Sequence, residues 1–308
     1  MGDQTAVEQY GRLHVEGTDL CGENGEKVLL KGVSTHGISL YPQYINRAAF
    51  ATFRSWGANV IRLAMYTREE KGYLEDGDKE AIRQLIADGV EYATDLGLYV
   101  LIDWHILLDN DPNENSNEAK IFWQEMSAKY KDHTNVIYEI CNEPNGTEVT
   151  WARVKKYAQE IIPIIRANDK QAVILVGTPT WSQDVDEAAK DPITEDDNLM
   201  YVLHFYAATH RQNLRDKAVE ALGKGLPIFM SEFGICDASG NGIIDYEEAD
   251  RWMDFAREHN ISYICWNISN KDESSAYFTP DSTSLSDWPE SELRETGKWI
   301  RNQLGRKY

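Results

Sequence analysis

Apolar and polar positions along the chain repeat one unit: a short β-rich run, a polar loop and a stretch with a 3.6-residue period. The runs predict eight strands, at Leu29–Val33, Asn59–Met65, Tyr99–Asp103, Val136–Cys141, Ala172–Gly177, Met200–Phe205, Pro227–Ser231 and Ser262–Asn267. The clearest helical patterns are Ala81–Leu96 and Trp151–Ile165, and Thr150 precedes the second as a candidate N-cap. The runs are almost continuously apolar, which is typical of parallel strands buried on both faces.

Eight βα units without a Pro- or Ser-rich linker predict one domain across residues 1–308, an α/β fold of the (β/α)8 barrel type. An open doubly wound sheet is the alternative, but neither a GxGxxG motif nor a P-loop follows the first strand. The segment from about Leu13 to Leu30, with Asn24-Gly25 as a turn signal, predicts an N-terminal β-hairpin that closes the bottom of the barrel.

Polar and aromatic residues, most of them acids, histidines or aromatics, stand at the ends of the predicted strands. In chain order these are His36, Arg62 with Tyr66, Trp104-His105, Asn142-Glu143, Trp181, His204 with Tyr206, Glu232, and Trp266. Barrels of this type place their active sites at the C-terminal ends of the strands. The fourth and seventh strands lie across the barrel mouth from each other, so Glu143 and Glu232 can face one another. A retaining glycosidase needs such a pair, one carboxylate as nucleophile and the other as acid and base.

Charge and composition narrow the classes of partner. The chain has 31 Lys and Arg against 51 Asp and Glu, a net charge of −20, which repels nucleic acid and anionic membranes and suits a neutral substrate. No apolar run approaches the ~18 residues of a transmembrane helix. The four cysteines show no CxxC spacing, and Cys141 and Cys265 lie in apolar runs as expected of core residues. A disulfide or a zinc site is the alternative.

Two patterns raise the question of a metal, although we predict no cofactor. The segment DASGNGIIDYEE comes close to an EF-hand loop, with ligand spacing at Asp237, Ser239, Asn241, Asp245 and Glu248. An EF-hand loop joins two helices, whereas this segment follows the seventh strand, so a plain turn is the preferred interpretation and calcium the alternative. A metal-dependent hydrolase could use His36, His105, His204 and His210, but no HxH pair follows the first strand.

Several segments together resemble glycoside hydrolase family 5, in its bacterial cellulase subgroup. They are HGISLYPQY, IRLAMY, DWHILLDNDP, IYEICNEPNG, TWSQDV, HFYAATH, SEFG and KDESSA. The likeness runs from about Leu13 to the last helix. It implies a retaining endo-β-1,4-glucanase that cleaves cellulose and mixed-linkage β-glucan through a covalent glycosyl-enzyme. Hydrolysis of mannan or xyloglucan is one alternative, and glycan binding without catalysis is another.

The resemblance also implies roles for the residues at the strand ends. Glu232 would be the nucleophile and Glu143 the acid/base. The supporting residues would be Arg62, Asn142, His105, His204 and Tyr206, with Asn142 bonding the sugar 2-hydroxyl. The sugar-binding residues would be His36, Tyr41, Tyr66, Trp181, Trp266, Lys271 and Glu273. Among these, Trp266 would form the platform of the −1 subsite and Trp181 that of the leaving group, with Lys271 and Glu273 contacting more distant sugars.

Two departures from the family pattern concern binding. Many relatives carry Trp where Leu40 stands, so we expect one distal stacking platform to be missing. Phe233 replaces a Trp that is frequent after the nucleophile, which is a milder change. The resemblance further implies a secreted enzyme that acts on polysaccharide and was attached to a carbohydrate-binding or dockerin module. We take a monomer as the default expectation. Residues 1–17 lack the apolar stretch of a secretory signal, so either the protein is cytoplasmic or the signal lies outside this sequence, and the resemblance favours the second.

Overall fold

A closed barrel of eight parallel strands forms the centre of the computed structural model, which describes residues 4–306. The strands in chain order are β1 His14–Glu16, β2 Asp19–Cys21, β3 Lys31–Thr35, β4 Val60–Tyr66, β5 Tyr99–His105, β6 Val136–Glu139, β7 Ile174–Val176, β8 Leu199–Tyr206, β9 Ile228–Gly234 and β10 Tyr263–Ile268. The barrel runs in sequence order from β3 to β10, and β10 pairs with β3 to close it. The predicted (β/α)8 fold is therefore confirmed.

Helices follow the strands and cover the outside of the barrel. They are α1 Ala6–Tyr10, α2 Arg47–Trp56, α3 Lys79–Asp95, α4 Ser116–Tyr130, α5 Trp151–Asn168, α6 Pro179–Ser182, α7 Val185–Lys190, α8 Gln212–Gly223, α9 Tyr246–Glu258 and α10 Glu295–Leu304. Asp78 caps α3 by accepting bonds from the first turn, as its residue type favours. Thr150 stands at the N-cap of α5 as predicted, but its side chain makes no capping bond.

A two-stranded antiparallel hairpin closes the bottom of the barrel, as predicted. Strands β1 and β2 pair with Val15 opposite Leu20, and Leu20 packs with barrel-interior residues such as Leu101 and Val202. The prediction placed the turn at Asn24-Gly25, whereas the turn between the two strands lies at residues 17–18. Asn24-Gly25 forms a second turn, where Gly25 has the positive φ of 82° that favours glycine.

All four cysteines are buried and free, so the structure contains no disulfide between them. Within residues 4–306, no helix is long and apolar enough to cross a membrane. The barrel strands are buried along nearly their whole length, and every residue of β5 and β9 is buried. Polar side chains inside these strands must therefore find partners within the barrel.

Candidate active site

A cleft of about 650 Å³ opens at the C-terminal ends of the strands. Among its lining residues are most of those predicted from the strand ends and two, Lys271 and Glu273, implied by the resemblance. The strand-end residues are His36, Tyr66, His105, Glu143, Trp181, His204, Tyr206, Glu232 and Trp266. Arg62 and Asn142 lie beneath this surface and are fully buried.

Two further predicted residues, Tyr41 and Trp104, also lie away from the cleft surface. Tyr41 does not line the cleft; its ring packs edge-on against His36 with a centroid separation of 5.0 Å. Trp104 is buried and packs against Phe122 of α4 at 5.1 Å, so it is part of the barrel-to-helix core. The strand-end pattern therefore selected most of the residues that line the cleft but also included a packing residue.

Glu232 is held by one cation and one phenol. Arg62 Nη1 lies 3.0 Å from Glu232 Oε2, and Tyr206 Oη donates to Oε1 at 2.8 Å. Both partners stabilise the charged carboxylate, because a cation attracts it and a hydroxyl donates to it. This surrounding is suited to a carboxylate that acts in its ionised form.

Glu143 has a different surrounding. Its Oε1 lies 2.8 Å from Nδ1 of His204. Burial raises the pKa of the Glu143 carboxyl to about 8, with Arg62 opposing the shift and Glu139 adding to it. One oxygen each of Glu143 and Glu232 lie within 4.8 Å of one another. The separation agrees with the ~5 to 5.5 Å between the carboxyl groups of retaining glycosidases, rather than with the ~6.5 to 9.5 Å of inverting ones.

Arg62 joins the site to the barrel interior. Its Nε and Nη2 bind Glu139 at 2.8 and 3.2 Å, and its Nη2 also contacts Asp103 at 2.9 Å and Asn142 Oδ1 at 2.7 Å. Burial alone would disfavour the guanidinium charge, but the carboxylates of Asp103 and Glu139 outweigh it and raise the pKa of Arg62. The side chain is thus fixed at several points and presents a preorganised charge to Glu232.

His105 is oriented from below by an aspartate. Its Nδ1 lies 2.6 Å from Asp103 Oδ2, and Asn142 Nδ2 approaches its Nε2 at 3.3 Å. Because the amide nitrogen of Asn142 can only donate, Nε2 is the accepting nitrogen and Nδ1 carries the proton. Burial lowers the pKa of His105 to about 4, so its ring is neutral near pH 7.

Sequence reasoning missed three buried members of this network, Asp103, Glu139 and Ser231. Ser231 Oγ donates to Glu139 Oε1 at 2.7 Å and lies 2.9 Å from His204 Nε2. A signal was present, because Asp103 and Glu139 are charged residues inside apolar strand runs, where an acid is rarely left unpaired. Ser231 carries no comparable signal, since a serine in a strand is common.

Two tryptophans give the cleft aromatic surfaces. The ring of Trp266 stacks on His105 with a centroid separation of 5.4 Å and an interplanar angle of 17°. Trp181 is 46% exposed and lies in a stretch where Thr180, Trp181 and Ser182 all have positive φ near 55°. Two bonds stabilise this costly backbone, from Trp181 N to Pro144 O at 2.9 Å and from Ser182 Oγ to Asn142 O at 2.6 Å.

Lys271 and Glu273 form a charged pair on the cleft wall. Lys271 Nζ lies 2.7 Å from Glu273 Oε2, and Asn267 Nδ2 donates to Glu273 Oε1 at 3.1 Å. Glu273 also lies 3.7 Å from Nε2 of His36, whose pKa burial lowers to about 3. A neutral histidine and a fixed ion pair offer hydrogen-bond donors and acceptors to hydroxyl groups.

The calcium interpretation of residues 237–248 finds no support in the geometry. Glu248 is buried and paired with Arg215 at 2.6 Å, while Asp245 caps α9 and contacts Arg211 at 2.7 Å. The arginines already neutralise the two acids that would bind the ion. Ser239 and Asn241 make bonds within the turn, with Ser239 donating to Asp237 and Asn241 N donating to Ser239.

The four-histidine metal alternative also lacks the required arrangement. Between residues 4 and 306, the one grouping of three His, Cys, Asp or Glu side chains close enough for an ion is Glu143, His204 and Glu232. His210 accepts a bond from Tyr206 N at 2.8 Å instead. The close grouping is the carboxylate pair itself with the histidine that contacts it.

The chain is similar in sequence to known cellulases. The family described as Cellulase (glycosyl hydrolase family 5) matches residues 21–272. Endoglucanase A of Butyrivibrio fibrisolvens is 49% identical over 97% of this chain and 70% of its own length. An endoglucanase of Clostridium saccharobutylicum is 46% identical over 96% of this chain and 65% of its own length. The chain thus spans about two thirds of these relatives.

Solved structures agree. A cellulase named Cel5C_n superposes with a TM-score of 0.95 at 43% identity, covering 99% of this chain and 95% of its own. The catalytic domain of a Thermobifida fusca endoglucanase in complex with cellotetraose superposes with a TM-score of 0.93 at 39% identity, covering 98% of this chain and all of its own.

Proposed function

The chain belongs to glycosyl hydrolase family 5, and we propose that it is a retaining endo-β-1,4-glucanase that hydrolyses cellulose and mixed-linkage β-glucan. The observation that carries the proposal is the pair of carboxylates within 4.8 Å of one another in an open cleft. The endoglucanase names of relatives at 46 to 49% identity, and the cellotetraose complex of a structural neighbour, support the substrate class.

In the first step Glu232 attacks the anomeric carbon while Glu143 gives its proton to the leaving glycosidic oxygen. Arg62 and Tyr206 hold the attacking carboxylate in place. The bond from Glu232 to the sugar forms as the glycosidic bond breaks, and the shorter chain leaves as an alcohol. Burial supports this division of labour, because it keeps Glu143 neutral near pH 7.

In the second step Glu143, now ionised, takes a proton from a water molecule that attacks the same carbon. The bond to Glu232 breaks and the sugar leaves with its original anomeric configuration. Two inversions at one carbon give net retention. Burial of Glu143 serves both steps, since a pKa near neutrality suits an acid that must later act as a base.

Binding of the glucan rests on aromatic faces and fixed polar groups. Trp266 would hold the −1 sugar and Trp181 the leaving-group sugar, because the C–H face of a pyranose packs against an indole. Lys271 and Glu273 would bond more distant hydroxyls. Asn142 already donates to Ile106 O at 3.0 Å and approaches His105 Nε2 at 3.3 Å. Its bond to a sugar 2-hydroxyl would replace the longer contact, to His105.

The proposed function also implies where the enzyme acts and in which oligomeric state. Cellulose is too large to enter a cell, so we expect the enzyme to act outside it, as a monomer. The relatives are longer than this chain, which is consistent with further modules in proteins of this kind.

The test compares initial rates on carboxymethylcellulose, barley β-glucan, xyloglucan and galactomannan for wild type, Glu232→Gln and Glu143→Gln. We expect the first two substrates to be preferred and both variants to lose at least about 10³-fold, which is several kcal/mol of barrier. Glu91→Gln, an exposed change on α3, is the matched control and should match wild type. Preference for galactomannan or xyloglucan would refute the substrate, and full activity of either variant would refute the two-glutamate mechanism.

A further inference from the structure

Buried hydrogen bonds and ion pairs connect the two glutamates beneath the floor of the cleft. The connection runs through Glu232, Arg62, Glu139, Ser231, His204 and Glu143. We propose that Ser231 and Glu139 are positioning residues that select one tautomer of His204, so that Nδ1 of His204 accepts a hydrogen bond from protonated Glu143 in the resting enzyme. This inference rests on the proposed function, because it concerns how Glu143 is kept ready as an acid.

The protonation state of Glu139 determines which groups donate and which accept in these hydrogen bonds. Both of its oxygens accept N–H donors from Arg62, at 2.8 Å for Oε2 and 3.2 Å for Oε1. A carboxylate that faces a guanidinium in this two-point manner is held in its ionised form, although burial raises the pKa of Glu139. Glu139 is therefore an acceptor and has no proton to offer Ser231.

Because Glu139 can only accept, Ser231 must donate to it, and this fixes which hydrogen bond Ser231 can make with His204. A hydroxyl group has one proton, and Ser231 gives it to Glu139 Oε1 at 2.7 Å. The serine oxygen is then free only to accept, and His204 Nε2 lies 2.9 Å from it. The proton of the neutral ring must therefore lie on Nε2.

The other ring nitrogen faces Glu143. With the proton on Nε2, Nδ1 has a lone pair directed at Glu143 Oε1 at 2.8 Å. That contact is a hydrogen bond only when Glu143 is protonated, so it stabilises the neutral acid. After the proton has gone to the leaving group, the same lone pair faces a carboxylate, which increases the basicity of Glu143 toward water.

Other charged and titratable groups surround the hydrogen bonds from Glu139 to Glu143, and they do not change the tautomer expected for His204. Those acting on His204 and Glu143 are Arg62 on β4, Glu69 in the loop after β4, Asp103 and His105 on β5, Glu139 on β6, Tyr206 on β8 and Glu232 on β9. Burial lowers the pKa of His204 to about 4, so the ring is neutral across the working range and the choice between tautomers is a real one.

The direct test is the side-chain ¹⁵N spectrum of wild-type protein labelled in histidine. We expect the His204 signals of a neutral ring protonated at Nε2, identified by their loss in His204→Gln. A ring protonated at Nδ1, or a doubly protonated ring, would overturn the proposal. The measurement needs no activity, so it decides the tautomer even if the proposed function fails.

The kinetic test uses Ser231→Ala. Without the hydroxyl, the next acceptor for Nε2–H is Glu139 Oε1 at 3.8 Å, outside hydrogen-bond range. The ring can then protonate Nδ1 and donate to ionised Glu143. We expect the alkaline limb of kcat/KM on barley β-glucan to move down by about one pH unit. Ser231→Thr retains the hydroxyl and should retain the limb.

The control removes a buried hydroxyl elsewhere. Ser127 is fully buried in α4 and donates to Trp123 O at 2.6 Å, so Ser127→Ala loses a comparable bond far from the cleft. It should leave the alkaline limb unchanged. A uniform loss of rate in Ser231→Ala, with the limb in place, would overturn the proposal. Absence of glucan hydrolysis by wild type would instead count against the proposed function alone.

Discussion

Glu143 and Glu232 are the same residue type, yet their neighbours give them opposite tasks. Glu232 accepts from a phenol and contacts a guanidinium, both of which favour a charged carboxylate. Glu143 faces a neutral imidazole, and burial raises its pKa to about 8. The difference comes from the residues around each carboxyl group, since neither glutamate has any intrinsic preference for one role.

The first prediction at this scale concerns pH. The productive free enzyme needs Glu143 protonated, so kcat/KM should fall as pH rises through about 8, the value to which burial raises its pKa. Initial rates on barley β-glucan between pH 5 and 10 measure the limb. A rate that stays constant to pH 10 would show that Glu143 is not the acid.

The second prediction concerns the leaving group. In Glu143→Gln, hydrolysis of cellotetraose should fall by at least about 10³-fold, because the leaving alcohol needs a proton. Release of dinitrophenol from a dinitrophenyl cellobioside should fall far less in the first step, because that phenol leaves without protonation. Burst kinetics separate the first step from the second. Equal losses on both substrates would contradict the assignment.

At the scale of the element, strand geometry places the site residues together. Alternate residues of a strand point the same way, so β5 presents Asp103 and His105 on one face. Parallel pairing sets Asp103 opposite Glu139 on β6 and His204 opposite Glu232 on β9. Asp103 and Glu139 lie 36 positions apart in the sequence and His204 and Glu232 lie 28 apart, yet each pair meets across neighbouring strands.

Gly177, which follows β7, offers a prediction at this scale. A Cβ on Gly177 would lie 2.3 Å from Cys141 O and 2.9 Å from Pro144 Cδ, on either side of Glu143. Gly177→Ala should therefore destabilise the fold by about 1–3 kcal/mol and lower kcat as well. Urea unfolding and kinetics measure the two effects.

The matched control is Gly223→Ala at the end of α8, where a Cβ would meet nothing within 4 Å. It should be neutral or slightly stabilising. If Gly177→Ala is as stable and active as this control, the close packing against Cys141 and Pro144 does not hold the segment that carries Glu143.

The fold and the site residues could be predicted from the sequence where the residues adjacent in the chain already form a recognisable pattern. Apolar runs predicted the barrel, and acids and aromatics at their ends predicted the cleft residues. Asp103 and Glu139 were visible as charged residues inside apolar runs, but their partners depend on register between strands, which no single run contains. Ser231 carried no local signal. The loop at 237–248 was open to a calcium interpretation for a similar reason, because the arginine that pairs with Glu248 comes from α8, more than 30 residues away.

At the scale of the whole molecule, the net charge of −20 surrounds a site meant for a neutral polymer. Carboxymethylcellulose is anionic, so it should be repelled where natural β-glucan is not. Salt screens such repulsion, with a Debye length of about 10 Å at 0.1 M. The net charge of the protein thus affects the relative rates measured on charged and neutral substrates, independently of the contacts in the cleft.

This charge leads to a prediction about ionic strength. Raising NaCl from 10 to 200 mM should lower KM for carboxymethylcellulose by roughly two-fold or more, because the screened repulsion no longer opposes binding. KM for neutral barley β-glucan should stay constant, which controls for effects of salt on the enzyme itself. The same response for both substrates would rule out an electrostatic origin.

The turn that carries Trp181 bears on attempts to re-engineer acceptor preference. Its backbone is tied to the segment of the acid, through Trp181 N to Pro144 O and Ser182 Oγ to Asn142 O. A loop grafted over residues 179–183 from another glycosidase would remove both anchors and loosen Glu143 at the same time. Recombination libraries would therefore keep more active members if residues 142–144 and 178–184 were inherited as one block.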